Sequence, residues 1–157
     1  MQIKLWIGQE MTVTLTPAQP EVESDWRRLW RDYLMFYKTK RDDVVFDTTW
    51  ARILNPETDM FALLAYDGDR AVGLVNYLYH HSFWDIEKRC YLNDLYVHPD
   101  GRNLGVGRTM INAVVEQAKS DQLKQVYWLT AKDNTNARAL YDKVAHLSPF
   151  LKYDIHL

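Results

Sequence analysis

The stretch Arg102-Asn103-Leu104-Gly105-Val106-Gly107-Arg108-Thr109-Met110 constrains this chain more than any other. It follows a strand-like apolar run, residues 90–97, which Pro99-Asp100-Gly101 ends. It precedes a segment in which Val106, Met110, Ile111, Val114 and Ala118 fall on one helical face. The chain has only six glycines, yet two of them stand one residue apart at this junction. A strand that hands over to a helix through such a turn implies a layered α/β arrangement. The turn itself is a tight connection, a phosphate cradle, or both.

Two familiar phosphate loops fail here. A Walker-type loop needs Gly five residues before a Gly-Lys-Ser/Thr group, but position 102 is Arg and the Lys is absent. A dinucleotide fingerprint needs a third Gly three residues after Gly107, where Met110 stands. What remains is Arg102-x-x-Gly105-x-Gly107 leading into a helix without an obvious Ser, Thr or Asp cap. Such a helix start keeps free backbone N–H groups and the positive end of its dipole. Glycines remove the Cβ atoms that would hold a phosphate away from those amides. The plainer reading, a tight turn capped by Asn103 or by water, stands beside it on the stretch alone.

The rest of the chain supplies the layers. Residues 11–15 are β-prone and closed by Pro17 and Pro20. Val22, Trp26, Leu29, Trp30, Tyr33, Leu34 and Tyr37 then recur at helical spacing, with Pro20 suited to the first turn. A shorter helix is predicted over residues 47–54, stopped by Asn55-Pro56. The run 60–66, the hairpin signal Asp67-Gly68 and the return run 71–81 read as paired strands. Residues 126–130 are strand-like, and Ala137, Leu140, Tyr141 and Val144 return to helical spacing. Residues 150–155 alternate as an antiparallel strand would. No repeat or linker appears, so residues 1–157 are expected to form one domain. Its fold class is α/β in the α+β sense: a mixed, mostly antiparallel sheet with helices on both faces.

Composition narrows the function. With 47% hydrophobic and 25% charged residues the chain is an ordinary globular protein. A net charge of −2 argues against a dedicated nucleic-acid binder. The single cysteine, Cys90, cannot form an intrachain disulfide, which points to a reducing compartment. No basic-led apolar leader opens the chain, and no apolar run reaches the roughly 18 residues that would span a membrane. A cytoplasmic protein without membrane or nucleic-acid partners is expected. Six Trp and ten Tyr serve either a packed core or a ligand-facing cavity. His80 and His81 would face opposite ways on a strand and fit no zinc spacing, so no metal is expected.

The run "YLNDLYVHPDGRNLGVGRTMINAVVEQA", followed by "VYWLTAKDNTNARALYDKVA", resembles the GNAT superfamily of acyl-CoA-dependent N-acyltransferases. Arg-x-x-Gly-x-Gly after a strand is that superfamily's pyrophosphate signature, and Asn134-x-Asn136-x-x-Ala139-Leu140-Tyr141 matches its later helix. The resemblance is strong over residues 60–153 and lies nearest the branch of small amine, spermidine/spermine-like acetyltransferases. One departure is Asn103, which stands where that signature has Gly. It fits if it adopts a left-handed conformation.

The resemblance implies a particular chemistry. Acetyl-CoA would be the co-substrate, its pyrophosphate held by Arg102, Asn103, Leu104, Gly105, Val106, Gly107 and Arg108. Its pantetheine arm would bond the backbone of Leu95, Tyr96 and Val97, in a gap where this strand splays from residues 126–130. A backbone N–H near Leu95 would receive the thioester oxygen. Tyr141 would donate a proton to the sulfur, which a phenol of ordinary pKa about 10 can do. Without the resemblance Tyr141 reads as a core residue beside Ala137 and Leu140. Asn134 would bond the pantetheine or fix its helix's start.

The general base stays open. The resembling branch often has Glu where this chain has Asn93, and an amide cannot take a proton. Asp94 should face the other side of its strand unless a bulge re-aims it. A bound water, or an amine arriving partly deprotonated, would also serve. Trp84, Asp85 and Glu87 are candidates to receive a cationic amine by cation–π and carboxylate contacts, and an ordinary exposed loop is the plain alternative. The face of Trp26, Trp30 and Tyr33 is read as core. The expected activity is acetyl transfer to a small cationic amine such as a polyamine, in a protein that pairs as a homodimer through its late strand. The alternatives are a protein lysine or N-terminal acetyltransferase and a non-catalytic acyl-CoA-binding regulator.

Overall fold

Hydrophobic strands bury their faces only when a layer covers each side, and here helices cover both. The computed structural model describes residues 13–157. Strand β1 (Val13–Pro17) leads through a 3₁₀ turn at Pro20–Val22 into helix α1 (Glu23–Phe36). Helix α2 (Asp43–Leu54), strands β2 (Met60–Asp67), β3 (Arg70–His80) and β4 (Arg89–Val97), helix α3 (Val106–Ser120), strand β5 (Gln125–Tyr127) and helix α4 (Thr135–Val144) follow. The sheet order is β1-β2-β3-β4-β5. The first three pairings are antiparallel and β4–β5 is parallel.

Each face has its own core. Trp26, Leu29, Trp30 and Leu34 of α1 pack with Phe46 and Trp50 of α2 against Ala62, Leu64 and Leu74 of the sheet. On the other face Val106, Met110, Ile111 and Val114 of α3 meet Val75, Tyr77, Cys90 and Leu92, with Leu140, Tyr141 and Val144 of α4 beside them. The first core is aromatic, with Trp26 stacked 5.0 Å from Trp30. The second is mainly aliphatic.

The local signals explain most boundaries. Gly68 turns the β2–β3 hairpin at φ 58°, a conformation that costs glycine least. Helix α2 begins at Asp43, four residues before the predicted start at 47. Val44 and Val45 are weak helix formers, and the docking of Phe46 and Trp50 on the sheet holds their turn in place. The first strand runs Val13–Pro17 rather than 11–15, and positions 11 and 12 lie outside the described residues.

Two expectations fail for one reason, the lack of a neighbour. Strand β5 stops at Tyr127, not at 130, because β4 pairs with it only from Arg89 to Tyr91. The alternating tail 150–155 is in no strand, and among the described residues nothing pairs with it. Its Phe150 and Ile155 are 79% and 89% exposed. Alternation supplies strand propensity; a ladder also needs the segment to lie along an edge, and this one lies along neither β1 nor β5.

Candidate active site

The site lies where β4 leaves β5. Cα register runs Asn76↔Asp94 and then Tyr77↔Leu92, so Asn93 is an extra residue on β4. This bulge breaks the alternation. Leu92 belongs to the α3-side core, whereas Asp94 turns toward α1 and bonds Trp30. A bulge is therefore present, but it aims Asp94 at α1 and not at the cavity. Beyond it the side of β4 facing β5 carries no ladder, and Leu95, Tyr96 and Val97 line an open cavity of about 700 Å³.

After β4 a 3₁₀ turn, Pro99–Gly101, delivers Arg102 in an extended conformation. Asn103 then takes φ 63°, the left-handed conformation that its place in the signature requires. Gly105 takes φ 72°, and α3 starts at the next residue with no side chain capping it. A Cβ on Gly105 would meet no protein atom within 4 Å, so the space in front of these amides is open. At Gly107 a Cβ would lie 3.3 Å from Leu140 Cδ2 and 3.7 Å from Val97 Cγ2. The missing side chain thus lets α3, α4 and β4 converge on the cavity. Free helix N–H groups, the dipole and the Arg102 and Arg108 side chains that line the same wall suit a pyrophosphate. Leu104 does not line it; it packs against the α3-side core.

Helix α4 closes the other wall. Asn134 accepts a hydrogen bond from the Ala137 N–H (3.5 Å) and donates to Thr130 Oγ1 (3.3 Å), which fixes the start of the helix. About two turns later Tyr141 reaches the cavity and packs edge-on to Trp128 at 5.3 Å. Burial, with the Tyr37 hydroxyl nearby, pushes its pKa up to about 12. The phenol is therefore held in its donating form.

Three residues that sequence reasoning missed complete the wall. Tyr33 and Phe36 of α1 and the following Tyr37 line the cavity, and Tyr33 also packs against the α1-side core, as its spacing predicts. Trp26 and Trp30 on the same face are core as expected. Tyr33 lies edge-on to both Tyr37 and Tyr96. Burial, and then the neighbouring Asp94 carboxylate, raises its pKa well above that of a free phenol. The i, i+3, i+4 aromatic spacing was visible in the sequence, but the open end of β4 beneath it was not.

Other candidates lie apart. Asn93 donates to Asp94 Oδ1 at 2.8 Å, and neither is among the described residues lining the cavity. Nor are Trp84, Asp85 and Glu87. Asp85 pairs with Arg89 at 2.6 Å, and the same guanidinium stands 6.0 Å from the Trp84 ring centre. The loop's indole and one of its carboxylates therefore already hold a cation of their own. A second hollow of about 650 Å³ is lined by Asp25, Arg28, Asp32, Asp67, Asp69, Arg70 and His98. Two of its cations are already paired, Arg28 with Asp25 and Arg70 with Asp100, and no aromatic residue lines it among the described residues. Among the described residues no group of three or more His, Cys, Asp or Glu is placed to hold a metal.

Comparison with known proteins agrees with this geometry. Residues 23–146 match the acetyltransferase (GNAT) family, and the chain belongs to it. It is an acetyl-CoA-dependent N-acetyltransferase. Over 144 residues it is 37% identical to a D-amino-acid N-acetyltransferase of Saccharomyces cerevisiae, covering 90% of this chain and 89% of that one. It is 29% identical over 85 residues to a thialysine N-epsilon-acetyltransferase of Caenorhabditis elegans, covering 54% of this chain and 52% of that one. Its fold is that of an aminoglycoside N-acetyltransferase solved in complex with CoA (TM-score 0.82, 15% identity, 96% and 99% coverage). A ribosomal-protein-alanine N-acetyltransferase from Brucella melitensis biovar Abortus 2308 shares it too (TM-score 0.74, 17% identity, 91% and 99% coverage).

Proposed function

We propose that the enzyme acetylates the primary amine of a small molecule by direct attack in a ternary complex at the open end of β4. The observation that carries this reading is one cavity lined by the uncapped start of α3, by Leu95, Tyr96 and Val97 on the side of β4 that β5 leaves uncovered, and by a half-buried phenol. Arg102, Asn103, Gly105, Val106, Gly107 and Arg108 hold the pyrophosphate. Backbone groups of Leu95 to Val97 align the pantetheine, with Asn134 beside it. The Leu95 N–H donates to the oxygen that gains charge as the amine attacks the thioester carbonyl. Tyr141 donates to the departing sulfur while the amine's proton leaves to solvent or a bound water. Tyr33, Phe36 and Tyr37 give the cavity an aromatic wall.

Within small amines we favour amino acids, lysine-like ones included, over polyamines. Among the described residues the only charged side chains on the cavity wall are Arg102 and Arg108, so no carboxylate there awaits a second ammonium. The relatives from yeast and worm are named for amino acids. A thiol-release assay with acetyl-CoA against amino acids of both hands, polyamines, aminoglycosides and lysine peptides tests the order. Preference for peptides would favour the protein-acetylating reading, and silence with every acceptor the regulator.

Tyr141→Phe should lower kcat roughly 10- to 100-fold and leave the acetyl-CoA KM within about twofold, because the hydroxyl acts chiefly in the transition state. Its pKa lies above the free value, so the donating form persists through pH 10 and is lost only near 12. Turnover at the parent rate would make Tyr141 structural.

We also propose that the chain acts as one domain in the cytoplasm, without a metal and as a homodimer. No helix among the described residues is long and apolar enough to cross a membrane. The exposed alternating tail is the element we assign to pairing with a second copy; a concentration-independent monomer mass in sedimentation would refute that.

A further inference from the structure

Among the described residues, two polar side chains are buried, Asn76 and Asp94, each 8% exposed. They are cross-strand partners at the β4 bulge. Asp94 Oδ2 accepts from Trp30 Nε1 (3.2 Å) and from Asn76 Nδ2 (2.9 Å), and its Oδ1 accepts from Asn93 Nδ2 (2.8 Å). Asn76 Oδ1 in turn accepts from Trp26 Nε1 at 3.0 Å. One buried carboxylate thus ties together two tryptophans of α1, the facing strand and the extra residue of the bulge.

Burying a carboxylate is costly even when it is bonded, and an apolar residue would pack this face with less penalty. The network sits where it can fix one thing, the course of β4 between Leu92, which is still in the closed core, and Leu95, which lines the cavity. We propose that Asp94 is a positioning residue. By locking the bulge to α1 through Trp30 and to β3 through Asn76, it sets the direction of the Leu95 N–H at the reacting end. It rests on the reading of Leu95 as the oxyanion donor. It also gives Asn93 a purpose: the amide is a donor to Asp94, a bond that a carboxylate at position 93 would not make.

Asp94 is not a proton acceptor in this assignment. Three protein donors engage it, the Tyr33 phenol stands between it and the cavity side, and the carboxylate itself is not on the cavity wall. Positioning and proton transfer therefore predict different behaviour. Asp94→Asn keeps the shape but turns one acceptor into a donor facing the amides or the indole. It should lower kcat roughly 10- to 100-fold, since a misplacement of about 1 Å can cost about 100-fold. The loss should be the same factor at every pH from 6 to 9, with the CoA dissociation constant within about twofold. Trp30→Phe, which keeps the charge and removes one donor, should reproduce part of the loss, and the double variant should fall short of the product of the two.

Amide NMR of the parent and both variants completes the test without any need for turnover. The Asn93 and Leu95 resonances should move while those of Gly105 and Gly107 stay. If they move but no acceptor is turned over by the parent, the bulge lock stands and the proposed activity fails. If turnover is strong and neither the resonances nor kcat respond, the lock is wrong. A loss confined to one limb of the pH profile would make Asp94 a proton acceptor and overturn the assignment, as would full activity of Trp30→Phe with an unmoved Leu95 amide. Should Asp94→Asn fail to fold, Trp30→Phe alone carries the test.

Discussion

The two halves of β4 do opposite work. Residues 89–91 are hydrogen-bonded to β3 on one side and to β5 on the other, and Cys90 and Leu92 are fully or almost fully buried. After the extra residue Asn93, the strand keeps β3 but loses β5, and Leu95, Tyr96 and Val97 stand half-buried beside a cavity. The same backbone is closed first and open afterwards. A binding surface has been made by withholding a neighbour, which leaves ladder positions free for a ligand. Stability and binding should therefore separate along this one strand, and substitutions can test the separation.

The largest effect is expected in the closed half. Leu92→Ala removes a side chain 3% exposed in the α3-side core, and should cost about 2–5 kcal/mol in denaturant unfolding. At temperatures where the variant is folded its CoA affinity should stay within about threefold of the parent. A loss of affinity as large as the loss of stability would mean that the halves are one cooperative unit.

Gly107→Glu is the reverse experiment. The new side chain starts 3.3 Å from Leu140 Cδ2 and places a negative charge at the N–H groups that α3 presents. CoA binding by calorimetry should weaken at least 100-fold, equivalent to about 2.7 kcal/mol, while the melting temperature moves by only a few degrees. Near-parent affinity in a folded variant would remove the α3 start from the site.

The reason the closed half and the glycine turn were legible in the sequence is that both are local. Helical spacing marks Val106 and Met110, the apolar run 90–97 contains Leu92, and Arg102-x-x-Gly105-x-Gly107 leads into a helix without an obvious cap, as a phosphate cradle or a plain turn would. The left-handed Asn103 is what the resemblance requires where its signature has Gly, and its φ of 63° meets that condition. What was hidden depends on neighbours that lie far away along the chain. The end of β5 at Tyr127 goes with the point where β4 bulges, and the tail joins neither of the edge strands, β1 and β5, that the described residues offer. The spacing of Tyr33 with Trp26 and Trp30 marks it as core, and it does pack against that core, but the same ring also lines the cavity at the open end of β4, which helical spacing cannot show. Asp94 was placed by a bulge that no periodicity could fix, since one extra residue reverses every assignment after it.

The smallest effect is expected at the loop that joins β3 to β4. From its composition, Trp84, Asp85 and Glu87 were read as an acceptor wall, and the geometry offers a different occupant. Arg89 pairs with Asp85 at 2.6 Å and stands 6.0 Å from the Trp84 ring centre, while the ring is 77% exposed. An incoming ammonium would have to displace a tethered guanidinium whose effective concentration no free substrate matches. Exposed cation–π contacts contribute only about 0.5–1 kcal/mol, so losing this one should barely reach the closed half of β4 through Arg89. Trp84→Ala should therefore lower stability by less than about 1 kcal/mol and leave both CoA affinity and the acceptor KM within about twofold. The discriminating measurement is the acceptor KM for lysine and for a neutral amino acid, at low and at high salt. A several-fold rise for lysine alone, abolished by salt, would restore the loop as part of the acceptor site and extend the open region of the molecule to both ends of β4.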